Sequence, residues 1–225
     1  MVQLTIFRFS EFILLKKSDY NLDFSPGEIR HLILENNDSK FHSERKLEYR
    51  LSRYCISLIY KKFTNCKLDK LESKSDRSIA WPLGYVGSVS HSKEYVLVAM
   101  ASDTNLLSVG VDIEKLGRLK DKMERIILTD LDLKNHPDLS KDQLFTLIFS
   151  AKESLYKALR PLVGVFFGFE FAYVSDVNTT SGEFQINLIH DLPNGFTKQR
   201  VSKLTGSFQF FENSIVTSIE LPRID

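Results

Sequence analysis

The residues best placed for chemistry are carboxylates. Asp112 and Glu114 stand two positions apart in Gly110-Val111-Asp112-Ile113-Glu114. On a strand, positions i and i+2 point to one face, about 6.6 Å apart along the chain. Val111 and Ile113 then point the other way, into apolar surroundings. Two carboxylates sharing a face repel one another. A divalent cation relieves that cost, and all-oxygen ligation shared with water and phosphate suits Mg²⁺. A strand end facing solvent accounts for the same pair, so context must decide. Lys152, Glu153 and Lys157 lie in Phe149-Ser150-Ala151-Lys152-Glu153-Ser154-Leu155-Tyr156-Lys157-Ala158. Glu153 precedes Lys157 by four, the spacing of a weak helix-surface ion pair. The same carboxylate between two lysines could serve as a third metal ligand or a base, with the lysines neutralising phosphate oxygens. Gly87-Ser88-Val89-Ser90-His91-Ser92 reads as a small polar turn. Its hydroxyls, imidazole and backbone N–H groups could hold a phosphate, or His91 could be a local hydrogen-bonding residue. Together the three segments are equipment for handling a pyrophosphate. No G-x-x-x-x-G-K-[ST] loop and no kinase motif set is present.

These residues need elements to carry them. Residues 140–159 read as one amphipathic helix. Leu144, Leu147, Ile148, Ala151, Leu155 and Ala158 make its apolar stripe, Ser140 with Gln143 is a capping-box start, and Arg160-Pro161 is the expected stop. Phe149, Glu153, Tyr156 and Lys157 share a neighbouring face. A second long helix is expected over 39–63, with Leu47, Leu51, Tyr54, Cys55, Leu58 and Ile59 as its stripe. Its other faces carry Arg45, Lys46, Arg50 and Arg53, which by themselves read as a solvated helix face. Strands are expected at 2–9, with 12–15 pairing to it, and at 95–101 and 107–113. A short helix falls near 120–128, and strands follow at 166–174, 183–189, 207–211 and 214–221. The order is strand, long helix, strands, repeated once. It implies an α+β fold of two similar halves, 1–105 and 106–225, each with a long helix packed on a sheet.

Composition narrows the class. The chain has 225 residues with 43% apolar and 26% charged, ordinary for a globular protein with a substantial core. Its net charge of +1 offers no overall attraction to nucleic acid or to an anionic membrane. Two cysteines, Cys55 and Cys66, imply neither a disulfide framework nor a zinc site, so a reducing cytoplasm is the expected compartment. Residues 1–17 have the wrong charge order for a signal peptide, and no run approaches the ~18 apolar residues of a membrane span.

Read together, Gly110-Val111-Asp112-Ile113-Glu114 and Phe149 to Ala158 closely resemble the signature pair of the 4′-phosphopantetheinyl transferases, of the longer, surfactin-synthetase-activating type. The serine–histidine segment resembles that group's corresponding motif. Arg77, Trp81-Pro82, Tyr85 and Gly87, with Arg45-Lys46 and Arg53, resemble the enterobactin-synthetase branch. The resemblance implies two pseudo-symmetric α+β halves with coenzyme A in the cleft between them. It implies Asp112, Glu114 and Glu153 as Mg²⁺ ligands, and Ser90 and His91 at a coenzyme A phosphate. Lys157 would face the pyrophosphate with Lys152 near it, and Arg45 and Arg53 would hold the 3′-phosphate end. Glu153, Lys157 and His91 would be the catalytic groups, with Glu153 the base directly or through a metal-bound water. The partner would be an acyl or peptidyl carrier protein, steered by Arg118, Lys120, Lys122 and Arg125 on residues 116–128. A monomer is expected, because one chain supplies both walls of the cleft. The alternatives are an inactive relative that binds coenzyme A or a carrier without transfer, and a transferase using another nucleotide pyrophosphate.

Overall fold

Ser140 starts the helix that organises the second half. Its Oγ accepts from the Gln143 N–H at 3.2 Å while Gln143 Oε1 accepts from the Ser140 N–H at 2.9 Å. Two otherwise orphaned donors are thereby satisfied. The helix does not stop at Pro161. It runs Lys141–Val163 and ends at Gly164, whose φ of 75° lets its N–H reach the Arg160 carbonyl. A proline in the last turn forfeits one N–H bond, whereas a left-handed glycine turns the chain out of the helix.

The computed structural model describes residues 4–21, 23–24, 26–32, 42–75, 78–199, 201 and 203–223. The elements in order are β1 (Glu11–Lys16), α1 (Ser43–Thr64), β2 (Glu72–Ser73), β3 (Ile79–Ala80), β4 (Tyr85–His91), β5 (Tyr95–Ser102) and β6 (Leu106–Lys115). There follow α2 (Glu124–Ile127), α3 (Lys141–Val163), β7 (Ala172–Asn178), β8 (Glu183–Leu188), β9 (Leu204–Phe211) and β10 (Ser214–Pro222). The fold is α+β. One antiparallel sheet has the order β1-β5-β4, the other β6-β10-β9-β8-β7, and β2 pairs with β3. The two larger sheets differ in strand number, so the two halves share a plan and not a count.

Burial follows the alternation of each strand. Val96, Val98 and Met100 of β5 pack with Leu51, Cys55 and Ile56 of α1. The other face of β5 (Leu97, Ala99, Ala101) packs with Val109, Val111 and Ile113 of β6. The stripe of α3, from Leu144 to Ala158, packs with Val174, Ile186, Ile215 and Ile219 of the second sheet. The layers are therefore helix, sheet, sheet, helix, and β5 is an unbroken apolar run because both of its faces are covered. On α1, Ile56 is buried, whereas Leu58 of the expected stripe is only half-buried.

Two expectations fail at the N-terminus. Among the described residues, 4–10 form no strand, and β1 pairs with β5 and not with them. Leu4 and Ile6 are still buried. The backbone N–H groups of Arg8, Phe9 and Ser10 all turn to the carboxylate of Glu220, and Thr5 N–H donates to Gln209 Oε1. Four N–H groups of the segment thus go to side chains of the second sheet and not to a ladder. Ser25, Arg77 and residues 33–41 lie outside the described residues, so the turn at Ser25, the Arg77 match and the expected helix start at 39 are not described.

Candidate active site

The seam between the halves is where β4 lies beside β6. Ser88 and Ser90 share the inward face of β4, and their hydroxyls accept the N–H groups of Val111 (3.1 Å) and Ile113 (3.3 Å). Side-chain oxygens thus take the place of a ladder partner for this stretch of β6. The segment is a strand through His91 and not the expected phosphate-holding turn, because its backbone is committed to pairing with β5.

Across the seam, Gly110 lets α3 close on β6. A Cβ at this position would stand 1.9 Å from the Ser154 carbonyl oxygen and 2.6 Å from the Ala158 nitrogen. Only glycine permits that approach. With α3 so close, Asp112 meets both sides of the seam. Ser90 Oγ donates to its Oδ1 at 2.8 Å, Lys157 Nζ reaches the same oxygen at 2.7 Å, and Ser150 Oγ donates to Oδ2 at 2.9 Å. Lys157 also donates to Ser90 Oγ at 3.0 Å and to the Val111 carbonyl at 3.1 Å. Beneath lies a buried hydroxyl network in which Thr217, opposite Asp112 on β10, bonds Ser150 and Ser154.

Glu114 points the same way as Asp112, as a strand dictates, and its carboxylate takes Arg118 Nε at 2.8 Å and a second guanidinium nitrogen at 2.6 Å. Burial first, and then the charge of Asp112, push the Glu114 carboxyl up to about 7. Glu153 feels the same two influences and is also raised, against the pull of Lys157 and Arg118. It has no hydrogen-bond or ion-pair partner among the described residues. The i,i+4 pair expected between Glu153 and Lys157 is not made, since Lys157 goes to Asp112. Glu153 instead lines a cleft of about 110 Å³ with Tyr156, Phe166, Phe167 and Phe169.

His91 ends β4, half exposed, with Nδ1 3.4 Å from Glu48 Oε2. Burial of part of the ring lowers its proton affinity, Glu48 raises it, and Lys157, Lys17 and Arg45 lower it again. The seam therefore gathers Ser90, His91, Asp112, Glu114, Glu153 and Lys157, with Arg45 close enough to act on the imidazole.

Lys152 does not join them, which corrects the sequence expectation. Its side chain is 2% exposed and its ammonium is held by Asp132 Oδ2 (2.7 Å) and the carbonyls of Ile127 (2.8 Å) and Phe169 (3.3 Å). Asp132 in turn accepts the N–H groups of Thr129 and Val174. This buried pair ties α3 to the start of β7 and has no donor left for a pyrophosphate. Arg53 is also deeper than expected. It is 6% exposed, stacked 3.6 Å over the Tyr49 ring, and donates to Ser52 and Ser73 hydroxyls, while its Nε has no hydrogen-bond partner among the described residues. Burial lowers its pKa.

Sequence reasoning missed Ser150, Thr217 and Asp132, and it gave Arg118 a place on the carrier surface without its ion pair to Glu114. Ser150 and Ser154 carried a signal, two hydroxyls four apart on the side of α3 nearest its apolar stripe. Thr217 and Asp132 gave none, because their partners are distant in sequence.

The donor set Asp112, Glu114 and Glu153 is all-oxygen and anionic, and two of the three carboxyls are driven toward protonation. That chemistry fits Mg²⁺. In this structure Lys157 and Arg118 supply the compensating charge, and among the described residues no three such side chains converge to ligating distance.

Comparison with known proteins defines the class. A family model described as the 4′-phosphopantetheinyl transferase superfamily matches residues 108–211, and one described as the 4′-phosphopantetheinyl transferase N-terminal domain matches 34–101. The chain belongs to the 4′-phosphopantetheinyl transferase superfamily. It is 32% identical over 148 residues to 4′-phosphopantetheinyl transferase Svp of Streptomyces mobaraensis, covering 62% of this chain and 58% of that protein. It is 34% identical over 103 residues to 4′-phosphopantetheinyl transferase Npt of Nocardia iowensis (42% and 43%). It is 34% identical over 107 residues to enterobactin synthase component D of Salmonella austin (46% and 44%). These alignments span about half the length of the curated relatives. Among the described residues no helix is long and apolar enough to cross a membrane.

Proposed function

We propose that this chain transfers the 4′-phosphopantetheine arm of coenzyme A to a serine of an apo-carrier protein, releasing adenosine 3′,5′-bisphosphate. The observation that carries the reading is the seam itself. Lys157 pairs with Asp112 where β4 lies beside β6, and Glu114 and Glu153 lie within reach of the Asp112 charge, in a chain of this family.

The serine oxygen attacks the phosphorus that bears the pantetheine arm. The bond from that phosphorus to the bridging oxygen breaks, and the bridging oxygen leaves with its electron pair on adenosine 3′,5′-bisphosphate. Serine is a weak nucleophile and its proton needs an acceptor. Glu153 takes that role, because its carboxyl has no hydrogen-bond or ion-pair partner among the described residues, lines the cleft and has a raised pKa. Lys157 places positive charge at the transferring phosphoryl group, and His91 and Arg45 meet coenzyme A phosphate at the other wall. Ser90 holds Lys157 and Asp112 in register. Asp112, Glu114 and Glu153 would hold Mg²⁺, which when bound neutralises pyrophosphate charge as a Lewis acid. The aromatic cleft beside Glu153 suits the pantetheine arm. The acidic carrier docks over residues 116–131, where Ile126 (68% exposed) and Leu131 (57% exposed) stand among the exposed Arg118, Lys120, Lys122 and Arg125. Relatives named for enterobactin synthase favour a carrier of siderophore or other secondary metabolism. We assign residues 1–105 and 106–225 as the two units, acting as a cytoplasmic monomer.

Metal binding has a readout apart from activity. A carboxyl raised in the folded state binds more protons folded than unfolded at intermediate pH. Stability without a divalent cation is therefore expected to fall as pH rises from about 4.5 through about 7, the span set by Glu114. Mg²⁺ competes with those protons. Thermal melts should show Mg²⁺ raising the Tm at pH 8 and much less at pH 5.5. An equal shift at both, or none, would remove the three carboxylates as ligands.

Arg53→Ala is expected to weaken coenzyme A binding while leaving dephospho-coenzyme A little changed, as calorimetry can measure. The unpartnered buried Nε is the reason to expect an anion there. Equal losses for both ligands would refute a 3′-phosphate role.

A further inference from the structure

Glu48 has no place in the reaction as set out above, yet it is an anchored charge beside His91. It lies on α1 and its side chain is 15% exposed. One carboxylate oxygen takes the ammonium of Lys17 at 2.7 Å. Lys17 is itself fixed: its side chain is 10% exposed and its backbone N–H donates to the Glu94 carbonyl at 2.7 Å. The other oxygen of Glu48 stands 3.4 Å from Nδ1 of His91. Three elements of the first half thus converge: the turn after β1, the second turn of α1 and the last residue of β4.

The geometry matters because His91 is otherwise loosely held. Its side chain is 55% exposed at a strand end. A half-exposed imidazole samples several rotamers and both tautomers unless one ring nitrogen is claimed. A carboxylate that accepts from Nδ1–H fixes both. The covalent ring then directs Nε2 away from Glu48. Lys17 keeps the carboxylate from following the ring, since a charge-assisted bond at 2.7 Å out of bulk water is a stiff anchor.

We propose that Glu48, anchored by Lys17, is a positioning residue that holds His91 by Nδ1 so that Nε2 faces the phosphate of bound coenzyme A. The phosphate in this statement rests on the transferase reading; the hold on His91 does not. Glu48 touches no substrate and acts through the imidazole.

Lys17→Met/Glu48→Leu removes the carboxylate together with its cation, so no buried charge is left unpaired and the fold is kept. The first measurement is the ¹⁵N spectrum of His91 in the ligand-free protein at pH 8. We expect the Nδ1–H tautomer in the wild type and the Nε2–H form to predominate in the double variant. The same tautomer in both would overturn the proposal. The second measurement is steady-state transfer from coenzyme A. The double variant should raise KM for coenzyme A on the order of tenfold with little change in kcat. Added to His91→Ala, it should cost nothing further, because its effect runs through that ring. An undiminished loss in the His91→Ala background would mean that Glu48 acts elsewhere and would overturn the proposal. No transfer by the wild type would overturn the transferase reading alone, and the spectra would still decide Glu48.

Discussion

Glu153→Gln is expected to lower transfer by on the order of 10²–10⁴-fold, the range that removal of a general base produces. The substitution keeps size and shape and removes the charge and the proton acceptor. It separates the chemistry from the fold, because among the described residues Glu153 makes no hydrogen bond or ion pair; the loss covers its parts as base and as Mg²⁺ ligand together. Asp112 offers no such separation. Its two oxygens serve Ser90, Ser150 and Lys157, and an amide there would disturb the whole seam. The variant's melt should match the wild type, and coenzyme A binding should be partly retained. A transfer rate equal to the wild type would take Glu153 out of the chemistry.

Lys152→Ala, one residue away, is expected to do the opposite. The ammonium of Lys152 is the only cation on the buried carboxylate of Asp132 among the described residues, and both side chains are almost wholly out of solvent. Removing one partner of such a pair typically costs about 3–5 kcal/mol, because the other charge is left uncompensated. At roughly 2–4 °C per kcal/mol for a chain of this size, the Tm should drop by about 6–20 °C. Lys152→Met/Asp132→Asn should recover part of that loss, since an amide oxygen still accepts from the Thr129 or Val174 N–H without a charge. Calorimetric melts of the three proteins decide the matter. An unchanged Tm with lost transfer would return Lys152 to the pyrophosphate, where its place in the signature helix had suggested it belonged.

That contrast shows where the sequence was legible. Periodicity located α3, its cap at Ser140 and its apolar stripe, because these depend on neighbours three and four positions away. The two-residue repeat of β6 put Asp112 and Glu114 on one face and Val111 and Ile113 on the other for the same reason. Cys55 was readable as packing, and it is buried in the core with its thiol pKa pushed up by that burial. Spacing does not report depth or distant partners. Lys152 and Glu153 are adjacent, and only the position of Asp132 makes one structural and leaves the other to the cleft. Ser88 and Ser90 looked like a turn because small polar residues favour turns. Their alternation was in fact that of a strand whose hydroxyls serve the edge of β6. Pro161 looked like a stop, but the last turn of a helix tolerates one missing N–H when a glycine follows. Lys17, Glu48 and His91 come from three separate segments and could not be joined before the fold was in hand.

The central claim is the covalent reaction, and mass spectrometry of the product tests it most directly. The chain is mixed with coenzyme A, Mg²⁺ and apo-carrier proteins from fatty-acid, peptide and polyketide synthesis, and each carrier is weighed. The transferred group's covalent composition predicts a gain of about 340 Da on a single serine of at least one carrier. Coenzyme A binding with no gain on any of them would contradict the transferase and leave a relative that binds without transferring.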